Sequence, residues 1–163
     1  MKEVSVIEGR FAELGTNKNE ILTRLISSEN LVKALTYSDT NFLDKPMPDD
    51  PTTLIYNQIF PFSKVPSTTD TAKTYITMKF GYKPEGVYFK ISSIYLYIIT
   101  HTSLIRTDYG MLRYDFLANE IDKLFNMQRG IGIGKLPFYE MSDIQVNDNW
   151  LGVYIKYCST EFN

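Results

Sequence analysis

The stretch VYFKISSIYLYIITHT, Val87 to Thr102, decides how this chain is read. Alternation puts Ile94, Leu96 and Ile98 on one side of an extended strand and Tyr95, Tyr97 and Ile99 on the other. Both sides are apolar. A strand of that kind sits centrally in a sheet, or has one face covered by another subunit. The segment before it, Thr71 to Phe80, alternates as well, with Ile76, Met78 and Phe80 opposite Tyr75, Thr77 and Lys79. Gly81 to Gly86 supplies the turn between them, so the two strands form a hairpin.

Upstream of the hairpin, Asn17 with Glu20 three residues later predicts a capping box that opens a helix. Its apolar face is Ile21, Leu22, Leu25 and Ile26. Ser27 or Ser28 interrupts it and caps a further set of turns, and Leu31, Val32 and Leu35 carry the spacing to about Tyr37. Met1 to Gly15 reads as an N-terminal arm. Ser38 to Asp70 is a long irregular loop holding Pro46, Pro48, Pro51, Pro61 and Pro66. Within it, Asp50-Pro51 predicts an N-cap and first residue of a short helix to about Gln58. The apolar run IFPFSKVP, Ile59 to Pro66, follows, broken by proline. A long loop with apolar anchors covers a sheet edge or meets a partner.

Downstream, Asp108 precedes an amphipathic helix from Tyr109 to about Gln128. Tyr114, Leu117, Ile121 and Leu124 form its stripe, widened by Phe116 and Phe125, while Arg113, Asp115, Asn119, Asp122 and Lys123 fall on the solvent side. Gly130 reads as its C-cap. Strands follow at about Ile133 to Met141 and Leu151 to Ser159, with a turn at Asn147 to Asn149. The expected fold is a single α+β domain over residues 1–163, in the order α-β-β-α-β-β. Two main helices pack on one face of a four-stranded, mostly antiparallel sheet. Tyr and Ile side chains on the other face exceed what one chain can cover.

Composition narrows the function. The chain has 163 residues, enough for a sizeable core, and 44% hydrophobic residues, an ordinary share. Twelve Tyr and ten Phe suit sheets and interfaces. A net charge of −2 without a basic block argues against a grip on nucleic acid through phosphate neutralisation. Cys158 stands alone, so no intrachain disulfide forms. The N-terminal MKEVSVIEGR has no apolar stretch of signal-peptide type, and the longest apolar run, Ile94 to Ile99, is too short to span a bilayer.

Four kinds of chemistry were weighed. RGIGIGKLPF, Arg129 to Phe138, has glycines running into a lysine, but Gly130 and Gly134-Lys135 are one residue too close for a P-loop. Leu136 stands where a hydroxyl is required. The segment also follows a helix and precedes a strand, the reverse of a phosphate-binding loop. His101 and Cys158 are the one conceivable nucleophile–base pair, and a thiol near a strand end is ordinarily inert. Asp143 and Asp148 lack calcium-loop spacing and read as turn residues. Tyr75, Lys79, Tyr82 and Lys83 are the closest approach to a base-stacking surface. No catalytic residue, metal or cofactor is expected.

One resemblance stands out. The segments NEILTRLISSENLVKALTYSD (19–39), LIYNQIFPFSKVP (54–66), YGMLRYDFLANEIDKLFN (109–126), GIGKLPF (132–138) and LGVYIKYCSTEFN (151–163) together resemble neck proteins of tailed bacteriophages. The order of elements is similar to the tail-terminator class. Head-closure (stopper) proteins are mainly β-barrels and adaptors mainly helical, and neither suits this pattern. The resemblance implies a structural subunit of the virion, assembled in the host cytoplasm as a ring, commonly a hexamer. Such a ring stands between the head-side connector or stopper and the tail tube protein, with DNA passing through unbound. Another head-completion or connector component is the alternative within the neck. A small enzyme or an interaction domain is the alternative outside it. From the residues themselves, Phe60, Phe62, Val65, Tyr95, Tyr97 and Ile99 are the expected interface.

Overall fold

The hairpin is the centre of the structure. In the computed structural model, which describes residues 9–162, β2 (Thr74–Glu85) and β3 (Phe89–His101) pair along their full lengths. β3 pairs on its other side with β5 (Trp150–Phe162), and β5 with β4 (Phe138–Asn147), all antiparallel. A two-residue strand, β1 (Ile59–Phe60), runs parallel to β2 at Ile76 and Thr77. The order across the sheet is β1-β2-β3-β5-β4. The sheet is therefore five-stranded and mixed, one strand more than expected. The extra strand comes from the apolar run in the long loop, which fastens onto the sheet edge.

Three helices lie on one face: α1 (Leu14–Ser27), α2 (Glu29–Thr36) and α3 (Arg113–Phe125). The expected first helix is two, because the Ser28 hydroxyl accepts from the Leu31 N–H at 3.4 Å and starts α2 afresh. Aligned rows across the strands meet the helices. Ile76, Ile98 and Val153 make one row, and Met78, Leu96 and Ile155 the next. Ile21, Leu25, Leu31, Leu117 and Ile121 close over them, all without measurable exposure. This burial is the main stabilising term of the fold.

Two arginines tie the helix layer together. The Arg113 side chain, at the start of α3, is 1% exposed. It donates to the carbonyls of Leu104 (2.7 Å), Ala34 (2.8 Å), Tyr37 (3.0 Å), Ser38 (3.3 Å) and Asp39 (2.9 Å), and lies over the Phe42 ring. It thus satisfies the carbonyls left open at the C-terminus of α2, where a cation also complements the helix dipole. Arg24 of α1 does the same for α3, donating to the Leu124 carbonyl at 3.4 Å and to that of Arg129.

Other expectations are corrected locally. Asn17 opens no capping box: α1 begins at Leu14, and Asn17 is buried inside it, donating to Glu161 at 2.8 Å. The helix after Asp50 is a single 3-10 turn, Pro51–Leu54, although Asp50 caps it at the Thr52 N–H as expected. Arg113, expected on the solvent side of α3, is buried, and so is Glu120. That helix runs only from Arg113 to Phe125, and Gly130 lies beyond its end. The segment from 126 to 137 is a loop, and β4 begins at Phe138 and not near Ile133. The arm expected over Met1 to Gly15 falls mostly outside the described residues, and Leu14 and Gly15 already belong to α1.

Candidate assembly surface

The sheet face away from the helices divides in two. At the end near β1, the chain from Pro61 to Lys73 crosses over it as a strap. The Trp150 indole donates to the Ser67 carbonyl at 2.9 Å, Asn147 to Pro66 at 3.2 Å and Asn149 to Thr68 at 3.1 Å. Beneath it Phe60, Tyr75, Ile99 and Trp150 form a second core, with Ile144 and Val146 packed against it. Of the six residues expected at an interface, Phe60 and Ile99 are thus spent inside the chain, 6% and 3% exposed. Phe62 and Val65 remain exposed, at 48% and 73%. Phe62 leans on Phe60 and Tyr56, so an aromatic group marks this sheet edge. Tyr56 is also held at φ 62°, a conformation disfavoured outside glycine.

Tyr95 and Tyr97, the last two of the six, are half-buried on the same face, and Tyr97 packs against the second core. They stack on each other at 6.2 Å, and Tyr154 from β5 meets both, at 6.0 and 5.8 Å. Lys79 and Lys156 sit over Tyr95, and Lys156 also over Tyr139 at 4.3 Å. Burial and the neighbouring Tyr95 raise the Tyr97 pKa, and burial beside Glu140 raises that of Tyr154. These hydroxyls therefore stay protonated near neutral pH. The arrangement is a flat aromatic plate with two cations on it. Tyr154, Tyr139 and Trp150 were missed from the sequence, where the third strand's partner was out of reach. The two-residue alternation in LGVYIKY was the one signal pointing to Tyr154.

The remaining candidates do not converge. The base-stacking set splits, because Tyr75 is buried under the strap and Tyr82 is on the helix face of β2. His101 pairs with Trp150 at one end of the β3–β5 ladder, and Cys158 with Ser93 in its interior, so the two are not brought together. Asp143 lies on β4 and not in a turn, while Asp148 is in the β4–β5 turn. Among the described residues no group of three His, Cys, Asp or Glu side chains is placed to hold a metal. No helix among them is long and apolar enough to cross a membrane.

The glycine loop docks on the sheet. The Ile133 N–H donates to the Thr160 carbonyl at 2.7 Å, and that of Leu136 to Gln128 at 2.8 Å. Gly132 has φ 66°, and a Cβ there would stand 2.8 Å from the Thr160 carbonyl oxygen. Near it a polar cavity of about 650 Å³ is lined by Thr16, Asn17, Lys90 and Gly132. Lys90 is buried there, 3.6 Å from the Glu161 carboxylate and 2.6 Å from the Phe162 carbonyl. Burial raises the Glu161 pKa against the pull of Lys90.

Neither the curated proteins nor the solved structures contain a match to this chain. A family model does match, over residues 28–158, from the start of the α2 cap to the body of β5. It thus takes in all five strands and the strap described above. The family it defines is phage-derived, of SPbeta-type prophage proteins. The chain belongs to the YomW family.

Proposed function

We propose that this protein is a structural subunit of a phage particle, a tail-terminator-like ring of the neck that joins the head-side connector to the tail tube around the DNA channel. The observation that carries the reading is apolar and aromatic surface that the chain leaves open. Phe62 and Val65 stand out from one sheet edge, and the half-buried Tyr95, Tyr97 and Tyr154 form an aromatic group on the open face. Surface of this kind marks an interface or invites aggregation. Membership of a phage-derived family supports the setting. The net charge of −2 suits a conduit that does not hold passing DNA.

The test is the mass of the native assembly by sedimentation, alone and with tail tube and connector proteins added. A ring gives a single multiple of 18.9 kDa. Phe62→Ala weakens it, because an aromatic anchor truncated at an interface costs about 2 kcal/mol or more. The melting temperature of that variant's monomer stays unchanged. A wild-type chain that remains monomeric with both partners present would overturn the reading.

A further inference from the structure

We infer that copies of this chain join edge to edge, the basic β2 edge of one against the acidic β4 edge of the next. This rests on the ring reading and names its subunit contact. Among the described residues, no strand pairs with the outer side of β4, nor with β2 beyond Thr77. These are the two opposite edges of one sheet. β4 is ten residues long, about 33 Å at 3.3 Å per residue, enough for an extended strand-to-strand contact.

The two edges carry opposite charge on the helix side of the sheet. On the helix side, a groove of about 370 Å³ between α3 and β4 is lined by Asp115, Asp122, Phe138 and Met141. Asp143 adds a further negative charge, close enough to Asp115 to raise its pKa. Of the cations nearby, Lys123 is paired with Glu120 at 2.7 Å, Arg113 is taken up by backbone carbonyls, and Arg106 lines a neighbouring cavity with Asp115. The corresponding groove at the β2 edge, about 400 Å³, is lined by Phe11, Lys18, Phe62, Lys79 and Phe80. Lys18 lies there over the Phe80 ring at 5.6 Å. On the open side, Lys79 stands at the β2 edge and Glu140 at the β4 edge, where Glu140 already faces Lys156 across the β4–β5 ladder. Glu13 lies toward the far end of the basic groove, beside Tyr82.

Complementary charges on two different edges define a head-to-tail contact, the kind that closes rings. An occupant of the acidic groove is therefore present in every other copy: Lys18 with the Phe62 ring beside it. The contact would extend the five-stranded sheet from subunit to subunit and cover the exposed backbone of both edges.

The experiment is charge reversal on the full chain, read by native mass. Lys18→Glu alone and Asp143→Lys alone should each weaken assembly at least tenfold, with circular dichroism melts unchanged. Mixed in equal amounts, the two variants should reassemble, because every contact is then either native or fully reversed. Lys79→Glu with Glu140→Lys is a second such pair on the open side, should a helix-side variant fail to fold. Wild-type mass in the single variants, or dissociated singles that stay apart on mixing, overturns the edge contact while the ring reading stands. A wild type that is monomeric even with tube and connector proteins ends both.

Discussion

Arg113 carries more of the structure than any other polar residue. Five carbonyls from two stretches of chain, 34–39 and Leu104, converge on one guanidinium, and no lysine ammonium could reach them in that plane. Arg113→Met should cost about 3 kcal/mol or more, because buried acceptors of charged hydrogen bonds are left unpaired. Arg113→Lys should recover little of it. Urea midpoints measure both, and a loss under 1 kcal/mol in the methionine variant would mean that water replaces the guanidinium. Asp115 and Glu161 both contribute to the pH dependence, because burial raises the pKa of each. For Asp115, burial first, then Asp143, raises the pKa, so the native state holds its proton above the ordinary carboxyl range. Stability therefore falls as pH rises through that window and levels off above the raised value. Asp115→Asn should lessen that slope and leave the protein more stable at pH 7 in thermal melts taken from pH 3 to 8. Neither role was visible in the sequence. A helical wheel puts Arg113 and Asp115 away from the stripe, and the loops that bury them come from residues 34–43 and from β4, distant in the chain.

The elements themselves were more legible, and the reason lies in their period. The two strands of the hairpin are legible from their alternation, but the turn expected at Gly81 to Gly86 is not there: β2 pairs with β3 as far as Glu85, and the chain turns over 86–88. Ser28 as a cap, Asp50 before Pro51 and the 147–149 turn are local chemistry and also held. What failed were features settled by distant partners. Asn17 and Glu20 have capping-box spacing, yet Asn17 is drawn into α1 by Glu161, at the other end of the chain. β1 is too short to show a pattern and exists because β2 offers it an edge. Of the interface residues, the sequence could not say which aromatic plugs its own chain and which stays outside: Phe60 does the first and Phe62 the second. Two predictions belong at this scale. Ile121 sits at the helix–sheet contact, and Ile121→Ala should cost roughly 2–5 kcal/mol in denaturant titration. An unchanged midpoint would mean that α3 does not hold the core. Gly132→Ala meets both a left-handed backbone and the Thr160 carbonyl. It should detach the 126–137 loop from β5, seen as faster amide exchange at Ile133 with little change at Ile121.

For the molecule as a whole, the opposed edge charges predict a salt response. Screening shortens to about 3 Å at 1 M salt. Assembly held by the lysine and aspartate edges should therefore weaken between 0.1 and 1 M in sedimentation runs, whereas one held by the tyrosine plate alone would not. The glycine loop should bind no nucleotide. Titration of ATP with Mg²⁺ should give no saturable signal, and micromolar binding abolished by Lys135→Ala would refute that.

The strand order has a further effect during synthesis. β5 lies between β3 and β4, yet it follows both in the chain. When β3 has left the ribosome it has only β2 for a neighbour, and it waits while α3, the glycine loop and β4 are made. At about 5–20 residues per second, that wait lasts seconds. Throughout it, α1, α2 and the strap are already made and can lie on the faces of the hairpin, but the β3 edge that β5 will fill has no strand of its own to pair with. On a polysome the nearest hydrogen-bonding match is the same hairpin on the adjacent ribosome. Crowded translation of a strongly expressed message is thus the condition under which this chain is most exposed to mispairing.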